Sequence, residues 1–136
     1  MTPFKLNSID HVAIRVKDMQ KSIDWYTRTL GMKAHKFKEW GEYPIFMMRD
    51  KLAVAIFPSN PNIKNSERLS NNIKIDHFAF NVSLEDFNKA QEYFVSLGET
   101  FVFQDHHYTH SIYLKDPDKH TVELTTLVVD EDKFYN

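Results

Sequence analysis

The sequence contains no cysteine, which excludes disulfide bonds, thiolate catalysis and sulfur-ligated zinc. It also lacks a positive excess, since 17 Lys and Arg face 19 Asp and Glu, and we therefore expect no nucleic-acid partner. No apolar run approaches the length of a membrane span, and the first seven residues contain no signal-peptide core. We therefore expect a cytoplasmic protein without a membrane partner. Its 136 residues suffice for one compact domain, residues 1–136, with a core of its own.

Two stretches of the sequence repeat each other: residues 9–16 read IDHVAIRV and residues 75–82 read IDHFAFNV. Both alternate apolar and less apolar positions with the two-residue period of a half-buried β-strand. In each stretch a histidine, His11 or His77, falls on the less apolar face. The sequence thus predicts two strands that present a histidine at equivalent positions.

The elements after these strands repeat as well. Each half has an amphipathic helical stripe that starts at a capping residue (Asp18, Ser83) and stops at a glycine (Gly31, Gly98). Three short strands are then predicted in each half, at 34–40, 43–49 and 52–57 and at 100–104, 111–115 and 121–129. The pattern predicts an α+β fold of two tandem βαβββ modules, at about 7–57 and 75–129. The Asn-rich segment 58–74 is expected to be a surface linker.

A carboxylate completes the candidate site. Glu123 lies on the less apolar face of the last predicted strand. The 67-residue offset from Gly31 to Gly98, applied to Glu123, makes Ile56 the equivalent residue of the first half. If the two modules face each other, His11, His77 and Glu123 surround a common point. Two imidazoles and one carboxylate with open coordination positions suit a divalent metal such as Fe, Mn, Zn, Ni or Co. We expect the open positions to let such a metal polarise a substrate oxygen or bind two adjacent oxygens at once.

Two further residues are candidates for proton chemistry. His106, in the polar stretch 105–110 (DHHYTH), is suited to move a proton, and Tyr113 to donate a hydrogen bond to a substrate oxygen. The alternative for the stretch is a solvated loop. Arg15, on the face of His11, is expected either to meet an anionic substrate or to form a surface ion pair.

The sequence resembles the vicinal oxygen chelate superfamily, which includes glyoxalase I, fosfomycin-resistance transferases, bleomycin-resistance proteins and extradiol dioxygenases. The resemblance rests on residues 9–11, 22–26, 30–31, 75–77 and 113–124. It implies a cupped mixed sheet around a metal held by His11, His77 and Glu123. It also implies a homodimer that binds a small-molecule substrate.

Departures from the family pattern narrow the expected reaction. The fourth ligand of glyoxalase I would fall at Ile56, and residues 125–130 lack the basic residue with which fosfomycin transferases hold phosphonate. We expect a metal-dependent enzyme of lyase, isomerase or transferase type, with the metal as Lewis acid. One alternative is an Fe(II) extradiol ring-cleavage dioxygenase that uses His106 and Tyr113 beside the metal. The other is a protein that sequesters a small molecule without catalysis.

Overall fold

The computed structural model describes Pro3, residues 8–60, Asn62, Ile75 and residues 77–134. The chain divides into two compact units, Met1–Pro61 and Asn62–Asn136. Most of the predicted linker, 58–74, lies outside the described residues. Within the described ranges, none of the helices has the length and apolar character needed to cross a membrane.

The first unit has the order strand, helix and three strands. Its elements are β1 (His11–Val16), α1 (Met19–Leu30), β2 (Lys33–His35), a 3₁₀ helix (Lys38–Trp40), β3 (Ile45–Arg49) and β4 (Leu52–Pro58). The four strands form one mixed sheet in the order β1-β4-β3-β2. In it β1 and β4 are parallel, and the remaining neighbours are antiparallel.

The second unit repeats this topology. Its elements are β5 (His77–Asn81), α2 (Leu84–Leu97), β6 (Val102–Asp105), β7 (Thr109–Lys115), β8 (Thr121–Leu127) and a closing 3₁₀ helix (Glu131–Lys133). The sheet order is β5-β8-β7-β6, again with a parallel pair, β5 and β8, and antiparallel neighbours. The prediction of two βαβββ modules in an α+β fold is confirmed.

Both long helices begin and end where the sequence predicts. The Asp18 carboxylate accepts a hydrogen bond from the Lys21 backbone N–H at 3.0 Å, and Gly31 ends α1 at φ 64°. The Ser83 hydroxyl accepts from the Asp86 backbone N–H at 3.1 Å, and the glycine after α2 has φ 73°. These caps satisfy backbone groups that a helix end leaves without partners.

The strand faces also follow the predicted alternation. On β1, Ile14 and Val16 are buried, whereas His11, Ala13 and Arg15 are exposed. The helix of each unit packs on its own sheet, α1 on β2, β3 and β4, and α2 on β8. Because successive strand residues point to opposite faces, the histidine of β1 lies on the face away from the buried positions.

The predicted strands differ from the observed ones at their ends. The strand expected at 34–40 stops at His35, and Lys38–Trp40 forms a 3₁₀ turn instead. There the Trp40 ring packs against the rings of Phe37 and Phe46, with centroids 4.5 and 5.1 Å away. These aromatic contacts bring the segment back over its own sheet, which the alternating pattern alone does not indicate.

Candidate metal centre

Two of the three predicted ligands meet in the second unit. His77 on β5 and Glu123 on β8 belong to adjacent parallel strands, and the His77 Nε2 lies 3.0 Å from the Glu123 Oε2. The Glu123 side chain is 9% exposed and that of His77 39%. At this distance the two side chains form a hydrogen-bonded ion pair when the imidazole nitrogen carries a proton. Without that proton, both atoms are close enough together to bind one metal ion at about 2.1 Å.

The third predicted ligand, His11, occupies the equivalent position of the first unit. Its Nδ1 lies 2.7 Å from the Asp10 Oδ2. When Nδ1 donates this hydrogen bond, Nε2 carries the lone pair that a metal needs, the arrangement common among metal-binding histidines. Within the described parts of the chain, His, Asp and Glu side chains form no cluster of three or more that could hold a metal. The three-ligand set stays a prediction.

Strand pairing corrects the predicted counterpart of Glu123. Ala79 of β5 pairs with Glu123, and Ala13 of β1 pairs with Ala55. The prediction that Ile56 occupies the corresponding position is wrong by one residue, because the spacing between equivalent residues is one residue longer at the last strands than at the helix ends. Alanine cannot bind a metal, so the first unit still offers no carboxylate there.

The two residues predicted for proton chemistry lie beside His77. Tyr113 on β7 pairs in register with Glu123, and its ring meets that of His77 edge to face, with centroids 5.8 Å apart. Its hydroxyl lies 2.9 Å from the His106 Nε2. The loop that carries His106 is fixed by its backbone N–H, which donates to the Thr109 carbonyl at 2.9 Å. The second unit thus brings four of the five predicted residues together.

A cavity of about 500 Å³ opens beside these residues. His77, Tyr113 and Lys115 line it together with Gln104 and Thr121. Sequence reasoning missed Lys115. The signal was present, because Lys115 follows Tyr113 by two residues on one strand and must therefore share its face.

The corresponding face of the first unit is apolar. Phe46, Ala53 and Ala55 form a buried cluster there, against which Phe57 packs. The guanidinium of Arg15 donates to the Pro58 carbonyl at 2.9 Å and lies 5.4 Å from the centre of the Phe57 ring. Among the described residues, the partners of Arg15 are thus a carbonyl and a ring, and no carboxylate forms an ion pair with it.

His120 contacts a buried carboxylate. Its Nδ1 lies 2.7 Å from the Asp116 Oδ2, and the Asp116 side chain is fully buried. The hydrogen bond to Asp116 raises the pKa of His120; burial opposes the rise, and the charges of Asp116 and Asp118 add to it. This pair shapes the turn between β7 and β8, the two strands that carry Tyr113 and Glu123.

The fold and the site define a duplicated βαβββ protein whose second unit combines a polar site with a cavity. The family model of the Glyoxalase/Bleomycin resistance protein/Dioxygenase superfamily matches residues 8–124, and the chain belongs to this superfamily. The resemblance seen in the sequence is confirmed.

Characterised relatives and solved structures agree with this assignment. The chain is 26% identical over 125 residues to the glutathione transferase FosA of Serratia marcescens, covering 88% of this chain and 80% of that protein. A glyoxalase/dioxygenase structure from Nostoc punctiforme matches 95% of this chain and 97% of its own, with TM-score 0.71 and 20% identity. A lactoylglutathione lyase structure from Agrobacterium tumefaciens covers 92% and 96%, with TM-score 0.69 and 16% identity. At these identities the structures indicate a shared fold.

Proposed function

We propose that the protein is a metal-dependent enzyme that binds a small substrate through two adjacent oxygens. The observation that carries the proposal is the 3.0 Å approach of the His77 and Glu123 donors beside a cavity of about 500 Å³. His77 and Glu123, with His11 as third ligand, would hold one divalent ion of Fe, Mn, Zn, Ni or Co. When bound, the ion supplies Lewis-acid polarisation of a substrate oxygen.

The chain's own groups have distinct roles in this proposal. Tyr113 donates its O–H to a substrate oxygen, while the His106 Nε2–H donates to the Tyr113 oxygen at 2.9 Å and so fixes the direction of the hydroxyl. His106 is also placed to return a proton to Tyr113 once the hydroxyl has passed its own to the substrate, a role for which imidazole is used most often. The ring of Tyr113 packs on His77 and thereby limits the rotation of that imidazole.

The names of the relatives favour group transfer or lyase chemistry. One relative is a glutathione transferase and another a lactoylglutathione lyase. We place this chain's reaction in the same broad range, on a small molecule, and we propose that the protein acts as a homodimer.

Metal analysis of single-residue variants tests the proposal. Protein purified without chelator is expected to contain one divalent ion per chain, and His77→Ala or Glu123→Gln to lose it. His35→Ala is the matched control, because His35 is an exposed histidine on β2. Retention of the metal by His77→Ala would show that the assignment is wrong. A wild-type protein that binds small molecules but no metal would instead be a sequestering protein.

A second candidate is an Fe(II) extradiol dioxygenase, favoured by the contact of His106 with Tyr113 next to His77. A histidine and a tyrosine side by side can exchange a proton with a catechol hydroxyl. Oxygen uptake with catechol, after anaerobic loading with Fe(II), tests this reaction. We expect Tyr113→Phe to lower the uptake if the reaction occurs, and an iron-loaded wild type that consumes no oxygen excludes it for catechol.

A further inference from the structure

Lys115 is a cationic group in the cavity of the second unit to which the proposed function gives no role. It lies near the end of β7, is exposed, and lines the cavity together with His77 and Tyr113. Its ammonium group donates a hydrogen bond to the Thr121 hydroxyl. Among the described residues, no carboxylate forms an ion pair with it. The charge of Lys115 is therefore not neutralised by an acidic side chain there.

Several of the polar groups around this lysine can donate a hydrogen bond. Tyr113, Gln104 and Thr121 each contribute an O–H or N–H to the lining. No Asp or Glu is among the described residues that line the cavity. The Glu123 carboxylate is nine-tenths buried and is engaged by His77. A cavity with one ammonium group, several neutral donors and no lining carboxylate is complementary to an anion.

The position of Lys115 in the sheet separates it from the candidate ligands. Lys115 pairs with Thr121, and Thr121 pairs with His77, so the lysine and the histidine stand two strands apart in one row. Their backbones are therefore about 9–10 Å apart, two inter-strand spacings. The lysine side chain can extend along this row toward Thr121. An anion bound to Lys115 would therefore lie beside the proposed metal position and would leave the contacts of Tyr113 in place.

We propose that Lys115 binds a compact oxyanion, a carboxylate or phosphate group, carried by the substrate. This inference rests on the proposed function, because both assign the same cavity to the substrate. The inference adds that the substrate is an acid. The adjacent oxygens of the acid would face His77 and Glu123, while its anionic group would lie at Lys115 and Thr121.

Titration of isotope-labelled protein with small anions, followed by NMR, tests this assignment. Acetate and inorganic phosphate are the probes, and acetamide is the uncharged counterpart of acetate. For at least one anion we expect saturable shifts at the amides of Lys115, Thr121 and Tyr113, weaker at high salt, and no saturable shift with acetamide. A preference for acetate or for phosphate tells a carboxylic acid from a phosphorylated substrate.

Variants of Lys115 test whether this lysine binds the anion. Lys115→Met is expected to raise the Kd of the preferred anion about tenfold, as for the loss of one charge-assisted hydrogen bond, whereas Lys115→Arg keeps it within about threefold. Lys119→Gln, in the adjacent turn and outside the cavity lining, is the matched control and should leave the Kd unchanged. Unsaturable shifts, or equal losses in Lys115→Met and Lys119→Gln, indicate an adventitious ion only and overturn the inference.

The same titration is made on protein as purified and after removal of metal by a chelator. Saturable anion binding at Lys115 in both samples supports the inference even if His77→Ala leaves the metal content unaltered. Absence of anion binding in both samples, together with normal metal loss in His77→Ala, overturns this inference and leaves the proposed metal centre standing. As a control for folding, the thermal unfolding midpoint of Lys115→Met is compared with that of the wild type. We expect the two midpoints to be similar, because Lys115 is exposed.

Discussion

The contact between Asp116 and His120 should make the stability of the second unit depend on pH. Asp116 is 1% exposed, and its Oδ1 accepts hydrogen bonds from the backbone N–H groups of Asp118 and His120 at 2.9 and 2.8 Å. Its Oδ2 lies 2.7 Å from the His120 Nδ1. Replacement of His120 by glutamine removes the titrating ring and leaves the two backbone hydrogen bonds in place. The variant thus isolates the side-chain contact.

The size of the effect follows from the charged hydrogen bond. A hydrogen bond to a charged group contributes about 1.5–3 kcal/mol to the free energy of unfolding. The His120 side chain is 31% exposed, so solvent screening lowers the estimate. We take the contribution of the contact as about 1–2 kcal/mol at low pH. The hydrogen bond to Asp116 raises the pKa of His120 in the folded protein above the value of about 6.5 for a free histidine. The added stability is therefore fully present below about pH 6.5 and declines as the pH rises through the folded value.

Urea unfolding at pH 5.5 and pH 8.5 measures this difference. The free energy of unfolding of His120→Gln should fall below that of the wild type by more at pH 5.5 than at pH 8.5. His35→Gln is the control, since His35 is exposed on β2, and its deficit should be small at both pH values. A His120→Gln deficit that is the same at both pH values, or larger at pH 8.5, would refute the reasoning.

Two helix-end predictions test local energetics by the same unfolding assay. Gly31→Ala should lower the free energy of unfolding by more than Gly98→Ala does. Both glycines have positive φ, but only at Gly31 would the added methyl lie 3.2 Å from a side-chain atom, the Arg49 Nη1. Equal losses would show that Arg49 moves aside at no cost. Ser83→Ala should lower the free energy of unfolding by about 1 kcal/mol, because the α2 cap at the Asp86 N–H is lost. Ser83→Asp is the control that restores an acceptor, and an unchanged stability in Ser83→Ala would contradict the role of the cap.

The sequence predicts well those features that depend on neighbouring residues. The alternation in 9–16 gives the faces of β1, and the capping residues Asp18 and Ser83 fix where the helices start. The same local reasoning places His77 on the exposed face of β5. Period, caps and turns act within a few residues, so one sequence contains all the information that they need.

The features that it misses depend on which residues are brought together by strand pairing. Lys115 lies in the cavity because its row runs across β7, β8 and β5 to His77. A constant offset of 67 residues between the two units could not identify Ala55 as the partner of Ala13. One residue added between two paired strands changes their register but leaves the hydrophobic pattern of each strand unchanged.

The corrected register leads to one further prediction, at Ile56. Ile56 of β4 pairs with Ile14 and is 0% exposed, and its counterpart Leu124 of β8 pairs with Phe80 of β5 and is 6% exposed. Ile56→Ala should therefore lower the free energy of unfolding by about 2–5 kcal/mol, the cost of a cavity in a packed core. Leu124→Ala is the matched variant and should lose a similar amount. A loss below about 1 kcal/mol in urea unfolding would contradict the observed burial of Ile56.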